Sequence, residues 1–229
     1  MRTTIMRATA VAVGAAVALS FGISASNAQA VISAPAGADP APAASGAQFL
    51  AAAPDTSGII QTYYEYPAGV FDNYSDYGLT IDAAYALAAV GGQASAVETM
   101  RAALEANIGS YVFGGGSAAK LSAFLLSQGS TGTSIDDLVD YLETHISVEE
   151  GLEGRLVDED DPGTPYDDDF NSPLTQAYAA SALHTAASPL AASALSFMLD
   201  QQCAAGFFRS SFSAKAAPDQ TCDGAVAPT

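Results

Sequence analysis

The residues best suited to chemistry crowd into one stretch. Between Val148 and Asn171 stand Glu149, Glu150, Glu153, Asp158, Glu159, Asp160, Asp161, Asp167, Asp168 and Asp169, with two prolines among them. Carboxylates this close can do two kinds of work. One of them, made more acidic by its neighbours inside an apolar, water-free cavity, can protonate a substrate. Several together can surround calcium, which takes six to eight oxygen ligands. Asp158, Asp160 and Asp161 are the candidates for the first role, and Asp167, Asp169 and Asn171 for the second. The calcium pattern is incomplete: Ser172 occupies the sixth position, where an EF-hand has glycine, and Tyr178 the twelfth, where it has glutamate. An irregular calcium site is what remains of that reading. The run as a whole reads as a solvated loop insertion, residues 148–171, in which neither chemistry is expected.

The other reactive side chains are few. Cys203, Cys222, His145 and His184 have no zinc-site spacing. His145, close to Glu143, reads as an ordinary surface histidine. The segment Gly114 to Lys120 lacks the Gly-Lys-Ser/Thr ending of a phosphate loop, and neither G-x-S-x-G nor H-E-x-x-H occurs. No cofactor is implied.

The compartment follows from the first thirty residues. Arg2 and Arg7 precede a small apolar run, Ala8 to Ile23, and Ala28-Gln29-Ala30 is a small-x-small cleavage pattern. Residues 1–30 therefore read as a secretory signal peptide, and no second long apolar run predicts an integral membrane segment. The remaining chain keeps five of the seven basic residues and all 25 acidic ones, a formal charge of −20. Such a polyanion is a poor partner for nucleic acid or an anionic membrane, both of which need lysine and arginine. In an oxidising compartment Cys203 and Cys222 are expected to form a disulfide. It would close a loop of about twenty residues, worth on the order of 3 kcal/mol.

The elements that must position these groups are helices. Val31 to Ser45 is Ala/Pro-rich and reads as a linker. A short helix end over Ala47–Ala53 stops at Pro54, and residues 61–76 read as an ordered tyrosine-rich loop with at most short strand pieces. Tyr77–Val90, Ser117–Ser127 and Leu174–Thr185 are apolar on nearly every face, so burial on most sides is expected. Each is followed by a helix with one apolar stripe: Ser95–Asn107, a helix capped by Ser134, and Leu190–Gln202. Capping boxes are expected at Ser95/Glu98 and Ser134/Asp137, and Ser-Pro starts at Ser172 and Ser188. A shift of 148 residues lays Phe49 on Phe197 and Gly58-Ile59-Ile60 on Gly206-Phe207-Phe208; Tyr111-Val112-Phe113 ends an intermediate unit in a similar way. The fold expected is all-α, built from repeated antiparallel helical hairpins.

Leu195-Ser-Phe-Met-Leu-Asp-Gln-Gln-Cys-Ala-Ala-Gly-Phe-Phe208 resembles the FL…QQ…DGGF unit of the prenyltransferase and squalene-cyclase repeat superfamily. Tyr77-Gly-Leu-Thr-Ile-Asp-Ala-Ala-Tyr-Ala-Leu87 resembles the inner-helix entry of its secreted actinobacterial members. The resemblance spans about residues 44–224. It implies an α/α toroid over residues 46–224, with inner helices lining a central cavity, here a partial ring. A ring needs more hairpins than this chain carries, so residues 225–229 are read as a truncation point. In that family Asp158-Glu-Asp-Asp161 would match the D-x-D-D string that protonates the substrate, but the chain has no tryptophan where those cyclases use many aromatics. Tyr85, Phe124 and Tyr178 are the residues that would line a ligand cavity. The expected function is a secreted, non-catalytic toroid acting as an extracellular or cell-surface binding module, with a cell-wall component or protein as partner. The alternatives are a carrier of a small hydrophobic or corrinoid ligand and a terpene-cyclase-like enzyme.

Overall fold

The computed structural model describes residues 41–66, 69–158, 171–210 and 212. In chain order they form helix α1 (Ala41–Ala51), strands β1 (Gln61–Tyr66) and β2 (Val70–Ser75), and helices α2 (Tyr77–Val90), α3 (Ala94–Ala106), α4 (Ile108–Tyr111, a single turn), α5 (Gly115–Ser127), α6 (Thr133–Thr144), α7 (Pro173–Thr185) and α8 (Ala191–Asp200). The class is all-α apart from one antiparallel hairpin, in register from Gln61 opposite Ser75 to Tyr66 opposite Val70. None of the described helices is long and apolar enough to cross a membrane.

The helices fall into two kinds, as their residue patterns require. In α5 the side chains of Ala118, Ala119, Leu121, Phe124 and Leu125 are all fully buried. Such burial is open only to a helix covered on several sides, and α5 packs against α6, α7 and α2. By contrast α6 buries a single stripe, Ile135, Leu138, Val139 and Leu142. Its other face carries Asp136, Asp140 and Glu143, which gain nothing from leaving water. The pairs α2–α3, α5–α6 and α7–α8 each join one helix of the buried kind to one of the striped kind.

Several helix starts differ from expectation. Helix α1 begins at Ala41, inside the expected linker, because Pro42 is tolerated in a first turn and alanine favours helix. Helix α3 starts from Gln93 with no side-chain cap, and Glu98 turns instead to Arg101 at 2.6 Å. Helix α6 starts from Gly132, whose φ of +110° suits glycine, rather than from Ser134. Ser188-Pro189 forms a turn ahead of α8, in which the Ser188 hydroxyl accepts from Leu190 N–H at 3.1 Å. Helix α7 starts at Pro173 with Ser172 as its cap, Ser172 and Thr175 exchanging hydrogen bonds.

Three turns share one bonding scheme. Isolated antiparallel bridges join Pro54 to Ile60, Ile146 to Leu156 and Gln202 to Phe208. Inside each, an N–H donates back across the turn: Asp55 to Ile59 O, Ser147 to Arg155 O and Cys203 to Phe207 O. Each turn is closed by a glycine in the left-handed region, Gly58, Gly154 or Gly206. The first and third schemes are offset by 148 residues at every bond. At Tyr111–Phe113 the expected equivalent is not formed; the single turn α4 stands just ahead of it.

The first two turns are each locked by a side chain of the next buried helix. Ile60 N–H donates to Thr80 Oγ1 at 3.0 Å and Leu156 N–H to Gln176 Oε1 at 2.8 Å, in each case twenty residues on. Gln176 also donates to Gly154 O and Ala194 O, at 2.7 and 2.9 Å. Both glycines press on a later striped helix. A Cβ at Gly58 would lie 2.9 Å from Ala103 Cβ, and one at Gly154 only 2.1 Å from Ser193 O. At Gly206 a Cβ would meet no atom of the described residues within 4 Å. Helices α1 and α8 bury opposite members of the matched positions. Phe197 of α8 is 7 % exposed, whereas Phe49, its counterpart in α1, is 75 % exposed. Conversely Ala47 is buried and its counterpart Leu195 is half exposed.

Candidate functional site

The described residues enclose a cleft of about 650 Å³ where the first turns of α5 and α7 meet α2. Its apolar wall is made by Tyr111, Phe113, Leu174 and Tyr178, and its polar groups include Asp82, Lys120, Asp158 and Asn171. Phe113 and Leu174 are mostly exposed. Aromatic rings run in series through Tyr77, Tyr111 and Phe113, at 6.0 and 6.4 Å between centroids.

The glycine run Gly114-Gly115-Gly116 brings α5 close enough to build this site. A Cβ at Gly114 would sit 2.9 Å from Asp158 Oδ1, at Gly115 2.9 Å from Leu156 Cδ1, and at Gly116 2.9 Å from Asn171 Oδ1. With no side chains there, Gly115 N–H donates to Asp158 Oδ1 at 2.6 Å. Asn171 donates from Nδ2 to Asp158 Oδ2 at 2.9 Å. A carboxylate at a helix N-terminus is favoured both by the unpaired N–H groups and by the helix dipole.

Two expectations are corrected by this geometry. Asp158 is not on a solvated loop: its side chain is 21 % exposed and pinned to α5. His145 is not an ordinary surface residue either. Its ring lies 4.5 Å from that of Tyr141, Nδ1 is 2.9 Å from Tyr141 O, and Nε2 is 3.9 Å from Asp158 Oδ1. Asn171, a calcium candidate, is buried with its amide turned to Asp158. Asp160, Asp161, Asp167 and Asp169 lie outside the described residues. Among the described residues no group of three His, Cys, Asp or Glu side chains could hold a metal ion.

The three cavity candidates separate. Tyr178 lines the cleft. Phe124 is fully buried, and Tyr85 stands between them, edge-on to Phe124 at 5.2 Å and stacked on Tyr178 at 6.3 Å. Burial pushes the Tyr85 phenol well above its ordinary range, helped by Tyr178 and the Asp82 carboxylate. Tyr111 is pushed up to about 12 by burial and then by Asp82 and Asp76. Tyr178 moves the same way, through burial and Asp82. A negative field from Asp82 therefore reaches all three phenols.

Asp82 itself pairs with Lys120, Nζ to Oδ1 at 2.8 Å, and Lys120 also donates to Gly78 O at 3.1 Å. Asp82, Lys120, Tyr111, Phe113 and Leu174 line the candidate cleft and were not singled out by the sequence reading. The signal was present for the first two: each is a charge set in an otherwise apolar helix of the buried kind. Cys203 is disulfide-bonded, and the one other cysteine of the chain is Cys222, outside the described residues.

No family model, curated protein or solved structure matches the chain.

Proposed function

We propose that this chain is a non-catalytic extracellular binding module of the α/α-toroid kind, and that it holds a small, mainly apolar ligand in the cleft between α2, α5 and α7. The observation that carries the reading is the cleft itself. It has the volume of a small-molecule site and the usual mixture of aromatic wall and a few convergent polar groups. It is lined by the buried helices, the surface a toroid would turn toward its centre. The disulfide at Cys203 accords with an oxidising compartment. A cyclase-like role for Asp158 finds less support, since the cleft it lines is lined also by the charged Asp82 and Lys120 and by mostly exposed Phe113 and Leu174, and is not the closed apolar cavity that substrate protonation needs.

The test is a thermal-unfolding screen of the unit Val31–Thr229 with isoprenoid alcohols and corrinoids. A ligand present at a hundred times its Kd stabilises by about 2.7 kcal/mol, a rise of several degrees for a domain of this size. Leu174→Asp, at an exposed position on the apolar wall, removes that rise while leaving the unliganded Tm near its starting value. No shift with any compound overturns the reading.

A further inference from the structure

We infer that the ligand of this cleft carries a positive charge, as an ammonium or similar cation attached to an apolar body. The inference rests on the binding reading above and adds the sign of the charge. Among the described residues three charged side chains line the cleft: the carboxylates of Asp82 and Asp158 and the ammonium of Lys120. Lys120 is spent on Asp82 and Gly78 O, so it offers an anion little. Asp158 is held from behind by Gly115 N–H and Asn171. Asp82 is different. Its side chain is 54 % exposed, and its ion pair among the described residues is with Lys120. A fourth charged group, the carboxylate of Asp76, stands behind the same wall, capping α2 through Leu79 N–H.

Among the described residues the charged groups lining the cleft are thus two carboxylates to one ammonium. Aromatic faces attract a cation through the ring quadrupole. Tyr111, Phe113 and Tyr178 present three rings beside Asp82. An anion would meet the opposite: acidic groups, electron-rich faces and a lysine already engaged. A neutral apolar molecule would gain from the wall alone.

The experiment compares three probes of one chain length with the unit Val31–Thr229 at low ionic strength: hexyltrimethylammonium, 1-hexanol and hexanesulfonate, all as monomers in solution. Titration calorimetry is expected to rank them in that order, with the cation bound about fivefold more tightly than the alcohol, the scale of one partly screened charge interaction. Asp82→Asn weakens the cation about fivefold and leaves 1-hexanol unchanged. Lys120→Met, which frees Asp82, strengthens the cation. The unliganded Tm of each variant shows whether it is folded, and the wild-type ranking stands independently of both. If 1-hexanol or hexanesulfonate binds as well as the cation, the inference about charge is overturned and the binding reading survives. If none of the three binds, both fail. If Asp82→Asn and Lys120→Met move the cation's affinity in the same direction, Asp82 is not the recognising group and the inference falls.

Discussion

Asp158 is held at the start of α5 by two hydrogen bonds. It was legible in the sequence as a reactive residue but not as a pinned one, because its partners Gly115 and Asn171 lie 43 and 13 residues away. The surrounding acidic run argued for solvent; the glycines that admit Asp158 to the start of α5 read only as a turn. Asp158→Ala leaves a backbone N–H and a buried amide without their acceptor, and is expected to cost about 1–3 kcal/mol in urea unfolding. Asp158→Asn, which keeps one acceptor oxygen, is expected to cost less. The tyrosines give a second test at this scale. The folded-state phenol of Tyr111 titrates at about 12 against about 10 in the unfolded chain. The unfolded chain therefore loses its protons first as pH rises. The contribution is whole below about pH 10 and is lost as pH climbs toward about 12. Tyr85 and Tyr178 act with the same sign. Urea midpoints should fall across that window, and the fall should be shallower in Tyr111→Phe.

At the level of elements, the helices were legible because their apolar residues recur with a helical period, and their burial follows that pattern closely. The starts of α3, α6 and α8 were not: α3 starts from Gln93 with no side-chain cap, ahead of Ser95, and Ser188 serves the turn that precedes α8. Gly132, free to take a positive φ, displaced Ser134. The β-hairpin was read as a loop because its strands put tyrosines on both faces, Tyr63 and Tyr64 both being exposed, and so lack a two-residue period. The 148-residue offset, read from one phenylalanine match, a glycine and the apolar pair after it, relates turns that have the same hydrogen bonds. The difference between the glycines that close such turns is testable. Gly154→Ala forces a Cβ to within 2.1 Å of Ser193 O at a φ of +84°, driving the turn and α8 apart. It is expected to cost about 3 kcal/mol or more. Gly206→Ala has the same kind of backbone strain and no neighbour among the described residues within 4 Å, and is expected to cost about 1 kcal/mol. Equal losses in denaturant unfolding would mean that Gly154 is selected for its backbone angle alone.

Across the whole molecule, a core shared by α2, α5 and α7 was legible as three apolar helices, while the cleft at their meeting was not. A cavity arises from how first turns converge, and residues as distant as Asp82, Phe113 and Tyr178 carry no mark of meeting in one place. Helices α1 and α8 each bury one side and expose the other, Ala47 and Phe197 being buried and Phe49 and Leu195 exposed. The proposed binding site belongs to the helices between them. The most direct measurement is an amide NMR titration of the unit Val31–Thr229 with geraniol. Saturable shifts concentrated at Asp82, Gly114–Ser117 and Asn171–Tyr178 are expected if the cleft is the binding site. Saturable binding that leaves those amides in place and moves others, or no binding by any apolar probe, would contradict it.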